Sequence, residues 1–299
     1  MFNEYLTLPN GIKVPQLALG TWLIDDDNAS DAVRAALDIG YRHIDTAQAY
    51  ANERGVGEGI RTSGISREEI FITTKVAAEH KNYKSAADGI DGSLKALGLD
   101  YIDMMIIHSP QPWVEVNQSD NRYFEGNLEA WHALTDAYKA GKIKAIGVSN
   151  FLKEDIENIW NNAEVKPMVN QVLCHISNTP LELIDYCQSK GIVVEAYSPV
   201  AHGEALRIPA IAQMAEKYGV SVPQLCIRYD IQLGMIVLPK TANPVHMKSN
   251  ADVDFVISDE DMEILKHLEK IDNYGDSSFF PVYGGKLKGY SGRPGTEEI

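Results

Sequence analysis

Four residues of this sequence have the types and spacing to pass a proton to a polarised oxygen: Asp45, Tyr50, Lys75 and His108. Lys75 stands inside the apolar run Phe71-Ile72-Thr73-Thr74-Lys75-Val76. A buried ammonium is costly without a carboxylate beside it, and Asp45, at the end of the preceding apolar run, is the natural partner. An ammonium next to a phenol favours the phenolate. The sequence therefore predicts that Lys75 lowers the Tyr50 pKa from its reference of about 10 and makes Tyr50 a general acid near neutrality. His108 would hydrogen-bond a substrate carbonyl and orient it, with hydride arriving from a cofactor on the opposite side. Spacing alone leaves a second reading open, in which the same residues are a structural ion pair, a surface tyrosine and a core histidine.

These residues fall at or near the ends of short apolar runs that alternate with amphipathic segments, the pattern of βα units on a parallel sheet buried on both faces. Eight runs are present, at 16–20, 43–45, 70–76, 102–108, 143–149, 168–173, 192–197 and 235–239. Helical stretches follow them, such as 30–39, closed by Gly40, and Leu181–Ser189, closed after Lys190 by Gly191. Eight alternations without a long polar linker predict one domain over residues 1–299, an α/β protein of the (β/α)8 TIM-barrel class. Its active site is expected at the C-terminal ends of the strands. Ahead of the barrel, residues 1–15 read as a hairpin around Asn10-Gly11. Two segments break the rhythm, 109–126 and the tail 272–299. Their aromatic load of Trp113, Tyr123, Phe124, Phe279, Phe280 and Tyr283 predicts pocket walls, with disorder as the alternative. The run Gly55-Val56-Gly57-Glu58-Gly59-Ile60 lacks the spacing of a dinucleotide-binding turn and reads as a helix start.

A formal net charge of −15 argues against nucleic acid or an anionic membrane as partner, and it requires any anionic cofactor to find a local cationic pocket. No apolar stretch is long enough to span a bilayer. The opening Met1-Phe2-Asn3-Glu4 lacks the basic and apolar regions of a signal peptide, so the cytoplasm is the expected compartment. Cys174, Cys187 and Cys226 are an odd number without C-x-x-C pairs, which points to buried thiols and to no metal. A monomer or weak homodimer acting on a small molecule is expected.

Several blocks carry a resemblance. They are Leu19-Gly20-Thr21-Trp22, the stretch from Gly40-Tyr41-Arg42-His43-Ile44-Asp45 through Tyr50 to Glu53, Thr74-Lys75, Ile143-Lys144-Ala145-Ile146-Gly147-Val148-Ser149-Asn150-Phe151, Val169-Asn170-Gln171 with Cys174-His175, and Ala196-Tyr197-Ser198-Pro199. In this order they resemble the motifs of the aldo-keto reductase superfamily over residues 6–271, nearest its bacterial aldehyde, ketone and diketogluconate reductases. The resemblance implies reduction of an aldehyde or ketone to an alcohol, with Asp45, Tyr50, Lys75 and His108 as catalytic tetrad. It implies a nicotinamide held by Ser149, Asn150 and Gln171, stacked on Tyr197 with Ser198 near the pyrophosphate, in a cofactor pocket completed by Thr21, Trp22 and Asn250. Trp22 and Trp113 would wall the substrate pocket above Tyr50 and His108, although Trp22 reads equally well as core packing.

The block Leu238-Pro239-Lys240-Thr241-Ala242-Asn243-Pro244-Val245-His246 resembles the family's adenosine 2′-phosphate site, except that His246 stands where an arginine is usual. Histidine offers at most one good donor where arginine offers a fork, so NADP(H) is expected as main cofactor, held by Lys240 and Thr241, with NAD(H) tolerated. A second departure is Leu173, where many relatives carry glutamate. The competing reading is a non-enzymatic binding or regulatory member of the same fold, against which the intact tetrad argues. A hydrolase with paired carboxylates is weaker still, because the sequence reading finds no second strand-end acid to join Asp45.

Overall fold

The computed structural model describes residues 1–116 and 118–285. The end of the tail, 286–299, included above among the pocket-forming segments, lies outside the described residues. Strands β1 (Tyr5–Thr7) and β2 (Lys13–Pro15) pair antiparallel, with Leu6 opposite Val14. Gly11 turns the chain between them at φ 85°, a conformation that needs a glycine.

Eight parallel strands follow: β3 (Leu19–Gly20), β4 (His43–Asp45), β5 (Phe71–Val76), β6 (Met104–Ile107), β7 (Ile146–Ser149), β8 (Val169–Leu173), β9 (Val193–Tyr197) and β10 (Ile236–Leu238). Each pairs with its sequence neighbours, and the bridges Leu17–Val237 and Gly20–Lys240 join first to last, closing the barrel. Helices α1 (Asp26–Ile39), α2 (Glu53–Thr62), α3 (Tyr83–Leu97), α4 (Phe124–Lys139), α5 (Lys153–Asn162) and α6 (Leu181–Ser189) follow β3 to β8 in turn. Two helices, α7 (Pro209–Tyr218) and α8 (Val222–Gln232), separate β9 from β10, and α9 (Pro244–Ala251) and α10 (Asp259–Lys266) come after it.

The strands are mostly shorter than their apolar runs, because the barrel core buries residues such as Ile102 and Ile143 that flank the paired segment as completely as those inside it. The first helix starts at Asp26, four residues before the expected start. Its polar opening Asp26-Asp27-Asn28 looks like loop, yet carboxylates in a first turn favour the helix dipole.

The glycines of α2 serve packing. A Cβ on Gly55 would lie 2.1 Å from the Asp26 carbonyl oxygen, and one on Gly57 would lie 2.0 Å from that of Leu97. Glycine at these two positions lets α2, which directly follows Tyr50, rest against the backbone of both neighbouring helix ends. The three cysteines are buried and free. Among the described residues no helix is long and apolar enough to cross a membrane, and no cluster of His, Cys, Asp and Glu is placed to hold a metal.

Candidate active site

The barrel brings the four chemistry-bearing residues together at the C-terminal ends of β4, β5 and β6. Register sets Asp45 beside Thr73 and Lys75 beside Ile106, so both side chains enter the barrel mouth. The fully buried Lys75 Nζ donates to Asp45 Oδ1 at 2.6 Å and to the Thr46 carbonyl at 2.9 Å, and lies 3.2 Å from the Tyr50 hydroxyl. Tyr50 is carried on a short 3-10 turn, Gln48–Tyr50, that ends where Ala51 turns left-handed at φ 55°. Gln48 fixes this turn, accepting from the Ala77 amide and donating to Gly89 O and Ser93 Oγ. The His108 ring stands 5.6 Å from the Tyr50 ring, and Trp113 packs edge-on against it at 4.9 Å.

Electrostatics correct one expectation. Burial raises the Tyr50 pKa, and although Lys75 pulls it down, the net direction is upward. The phenol was expected to be acidified because spacing reveals its cationic neighbour and not the water lost around it. Burial works against charge on Lys75 as well, but Asp45 and Tyr50 more than offset it and hold the ammonium above its ordinary value. His108 is driven well below the ordinary imidazole range by burial and then by Lys75. The mouth therefore holds a neutral phenol, a charged lysine and a neutral imidazole at pH 7. Among the described residues the buried Nδ1 of His108 has no partner and its Nε2 makes no hydrogen bond.

Beside this group lies a second polar set on β7, β8 and β9. Asn150 adopts φ 61°, a left-handed conformation that asparagine tolerates better than most residues. Its amide donates to the His108 carbonyl at 3.0 Å and to Ser149 Oγ at 3.1 Å, while Oδ1 accepts from the Tyr197 hydroxyl at 2.7 Å. Ser149 Oγ donates to the Gln171 carbonyl. Gln171 donates from one nitrogen to Asp45 Oδ2 at 2.9 Å and to Glu195 Oε2 at 2.8 Å, leaving Oε1 without a partner among the described residues. Thr21 Oγ1 donates to the Asp45 carbonyl and so ties β3 to the same centre.

A flat ring bearing an amide fits these groups, since Gln171 retains a free acceptor and the Tyr197 ring is only half-buried. Farther out, exposed Lys240 and half-buried Thr241 stand just before α9, whose first turns carry exposed His246. Cations and amide donors at a helix N-terminus suit a phosphate. Asn250, near the end of α9, is buried and makes no side-chain hydrogen bond among the described residues.

The tail reaches this face. Tyr283 is buried, with its hydroxyl 2.8 Å from Ser198 Oγ and 2.6 Å from His202 Nε2. Trp22, half-buried, packs edge-on against Phe280 at 4.8 Å and His202 at 5.3 Å. These contacts are the aromatic packing that one reading of Trp22 expects. Ser198, expected among cofactor contacts, is engaged here by the tail. Leu173 ends β8 half-buried against the apolar cluster beneath that tail.

Two features escaped the sequence reading. His202 lies in a short segment with little periodicity, and nothing in its neighbourhood signalled a contact with the tail. Glu195 was legible, as a lone acid in the apolar strand Val193-Val194-Glu195-Ala196-Tyr197, by the same signal that marked Lys75. Glu195 is not a strand-end acid, standing in the middle of β9, yet it is fully buried and shares the Gln171 amide with Asp45. A glycosidase pair still does not result, because Asp45 is neutralised by Lys75.

The aldo/keto reductase family pattern matches residues 16–270, nearly the whole barrel. The chain belongs to the aldo/keto reductase family. Family members are NAD(P)H-dependent oxidoreductases, and this chain is one of them. It is 42% identical over 275 residues to a glyoxal reductase of Bacillus subtilis, covering 91% of this chain and 95% of that protein. An aldehyde reductase of Saccharomyces cerevisiae is 40% identical over 89% of this chain and 91% of its own. Among solved structures, a Bombyx mori aldo-keto reductase in complex with NADP superposes with TM-score 0.81 at 33% identity, covering 94% of this chain and 98% of that one.

Proposed function

We propose that this aldo-keto reductase converts small aldehydes and ketones to alcohols at the expense of NADPH, with Tyr50 as proton donor. The observation that carries the reading is Lys75 Nζ, which touches the Asp45 carboxylate and the Tyr50 hydroxyl at once. NADPH, when bound, supplies the hydride. The chain's own part is to hold the carbonyl oxygen and deliver a proton to it. The neutral His108 ring offers an N–H to that oxygen, which orients the substrate and draws charge onto the oxygen. Tyr50 gives up its proton to the oxygen, and Lys75 stabilises the phenolate left behind. Asp45 keeps Lys75 charged, while Trp113 and Trp22 shelter the mouth from water. Ser149, Asn150, Gln171 and Tyr197 would hold the nicotinamide, and Lys240, Thr241 and His246 the 2′-phosphate. Relatives named glyoxal reductase and aldehyde reductase support small carbonyl compounds as the substrate class.

The test is the initial rate of NADPH and, separately, NADH oxidation with glyoxal, methylglyoxal, a benzaldehyde and a β-keto ester. Turnover of any of these supports the reading; measurable NADPH binding without turnover of any would sink it. The same assay checks the phosphate site. His246→Arg is expected to raise the ratio of kcat/KM for NADPH over NADH about tenfold, because a guanidinium fork adds a charge-assisted contact. An unchanged ratio would show that position 246 does not meet the phosphate.

A further inference from the structure

We propose that Glu195 is a positioning residue for the cofactor: with Asp45 it fixes the amide of Gln171 so that Oε1 faces the nicotinamide carboxamide. The inference rests on the cofactor reading of Gln171 and goes beyond it to a residue outside the tetrad and outside the expected cofactor contacts. Three observations carry it. The Gln171 nitrogen has two amide hydrogens and meets two carboxyl oxygens, one from Asp45 on β4 and one from Glu195 on β9. That leaves one orientation of the amide, with its oxygen unpartnered among the described residues and available to an N–H donor. Glu195 itself is fully buried, and its other oxygen has no partner among the described residues.

An acid buried with an orphan oxygen is a poor choice for stability alone. Burial, and after it the Asp45 charge, push the Glu195 carboxyl up to about 8, against the opposing pull of Gln171 and Lys75. Asp45 and Lys75 are the charged groups facing it. An acid whose folded pKa lies above its unfolded value loses stability as pH rises from about 4.5 to about 8, so at pH 7 this side chain works against the fold. Its presence is explained by what it does to Gln171.

With one carboxyl acceptor removed, Gln171 swings more freely, and binding must then freeze it. The entropy of a glutamine side chain is worth on the order of a tenfold change in affinity. The experiment is NADPH binding by quenching of tryptophan fluorescence, with Tm, for the wild type, Glu195→Met, Glu195→Gln and Gln171→Leu. Glu195→Met is expected to weaken NADPH about tenfold, to melt at or above the wild-type Tm, and to leave the KM of the aldehyde unchanged. Glu195→Gln, which can still accept from Gln171, is expected to bind within about twofold of wild type. Wild-type binding by Glu195→Met alongside weakened binding by Gln171→Leu would overturn the role of Glu195 and spare that of Gln171. Wild-type binding by Gln171→Leu would overturn the cofactor reading of Gln171 itself. A lowered Tm that Glu195→Gln fails to restore would make Glu195 merely structural. Should Met at this position prevent folding, Glu195→Ala is measured instead, and unaltered binding there would count equally against the proposal.

Discussion

Tyr50→Phe is expected to lower kcat/KM for carbonyl reduction by about 10²–10⁴-fold, the usual worth of a positioned general acid, and to leave the Kd of NADPH nearly unchanged. The substitution removes one oxygen. That oxygen's hydrogen-bond partner is Lys75, which keeps Asp45 and the Thr46 carbonyl, so neither fold nor ion pair should suffer. The direction of the Tyr50 shift adds a pH signature. Because burial outweighs Lys75 and the phenol titrates above its ordinary range, the acid form persists through neutrality. Reduction by the wild type should therefore be flat from neutral into mildly alkaline solution and fall only above it, whereas alcohol oxidation, which needs the phenolate, should rise with pH. Stopped-flow binding together with pH–rate profiles in both directions checks this. Full turnover by Tyr50→Phe would move the proton donor elsewhere, and His108, the other neutral group at the mouth, would be next to test.

How far the site could be read from sequence differed residue by residue. Lys75 was legible because a charge in an apolar strand has to be accounted for, and the partner it implied is 2.6 Å away. Glu195 carried the same signal one sheet position beyond Gln171 and was passed over, since no charge of opposite sign stands beside it in the strand order. The sign of the Tyr50 shift was not legible at all: it is a contest between a neighbour, which spacing suggests, and lost hydration, which only packing determines. The barrel followed from eight buried runs, but the start of α1 did not, because Asp26 and Asp27 resemble loop until they are placed at a helix N-terminus. The tail was readable as aromatic, and not as the particular contacts of Tyr283 with Ser198 and His202, because long-range hydrogen bonds leave no local pattern.

Lys75→Met is expected to damage both fold and catalysis, and the two losses can be separated. Asp45 is almost wholly buried and accepts from Lys75 and from Gln171; without the ammonium it becomes a buried charge held by one amide. Breaking such a pair from one side costs about 3–5 kcal/mol, which denaturant unfolding would register. Removing the charge from the other side as well, in the double variant Asp45→Asn/Lys75→Met, should return most of that stability, because a neutral amide can share the Gln171 hydrogen bond without a counter-ion. Catalysis should not return with it. The phenolate that forms as Tyr50 gives up its proton needs a cation beside it, and methionine supplies none, so kcat/KM should stay depressed by about 10²–10⁴-fold in single and double variants alike. If the double variant recovered activity together with stability, Lys75 would be an ion-pair partner that holds the barrel mouth together, and the proton chemistry assigned to its contact with Tyr50 would be wrong.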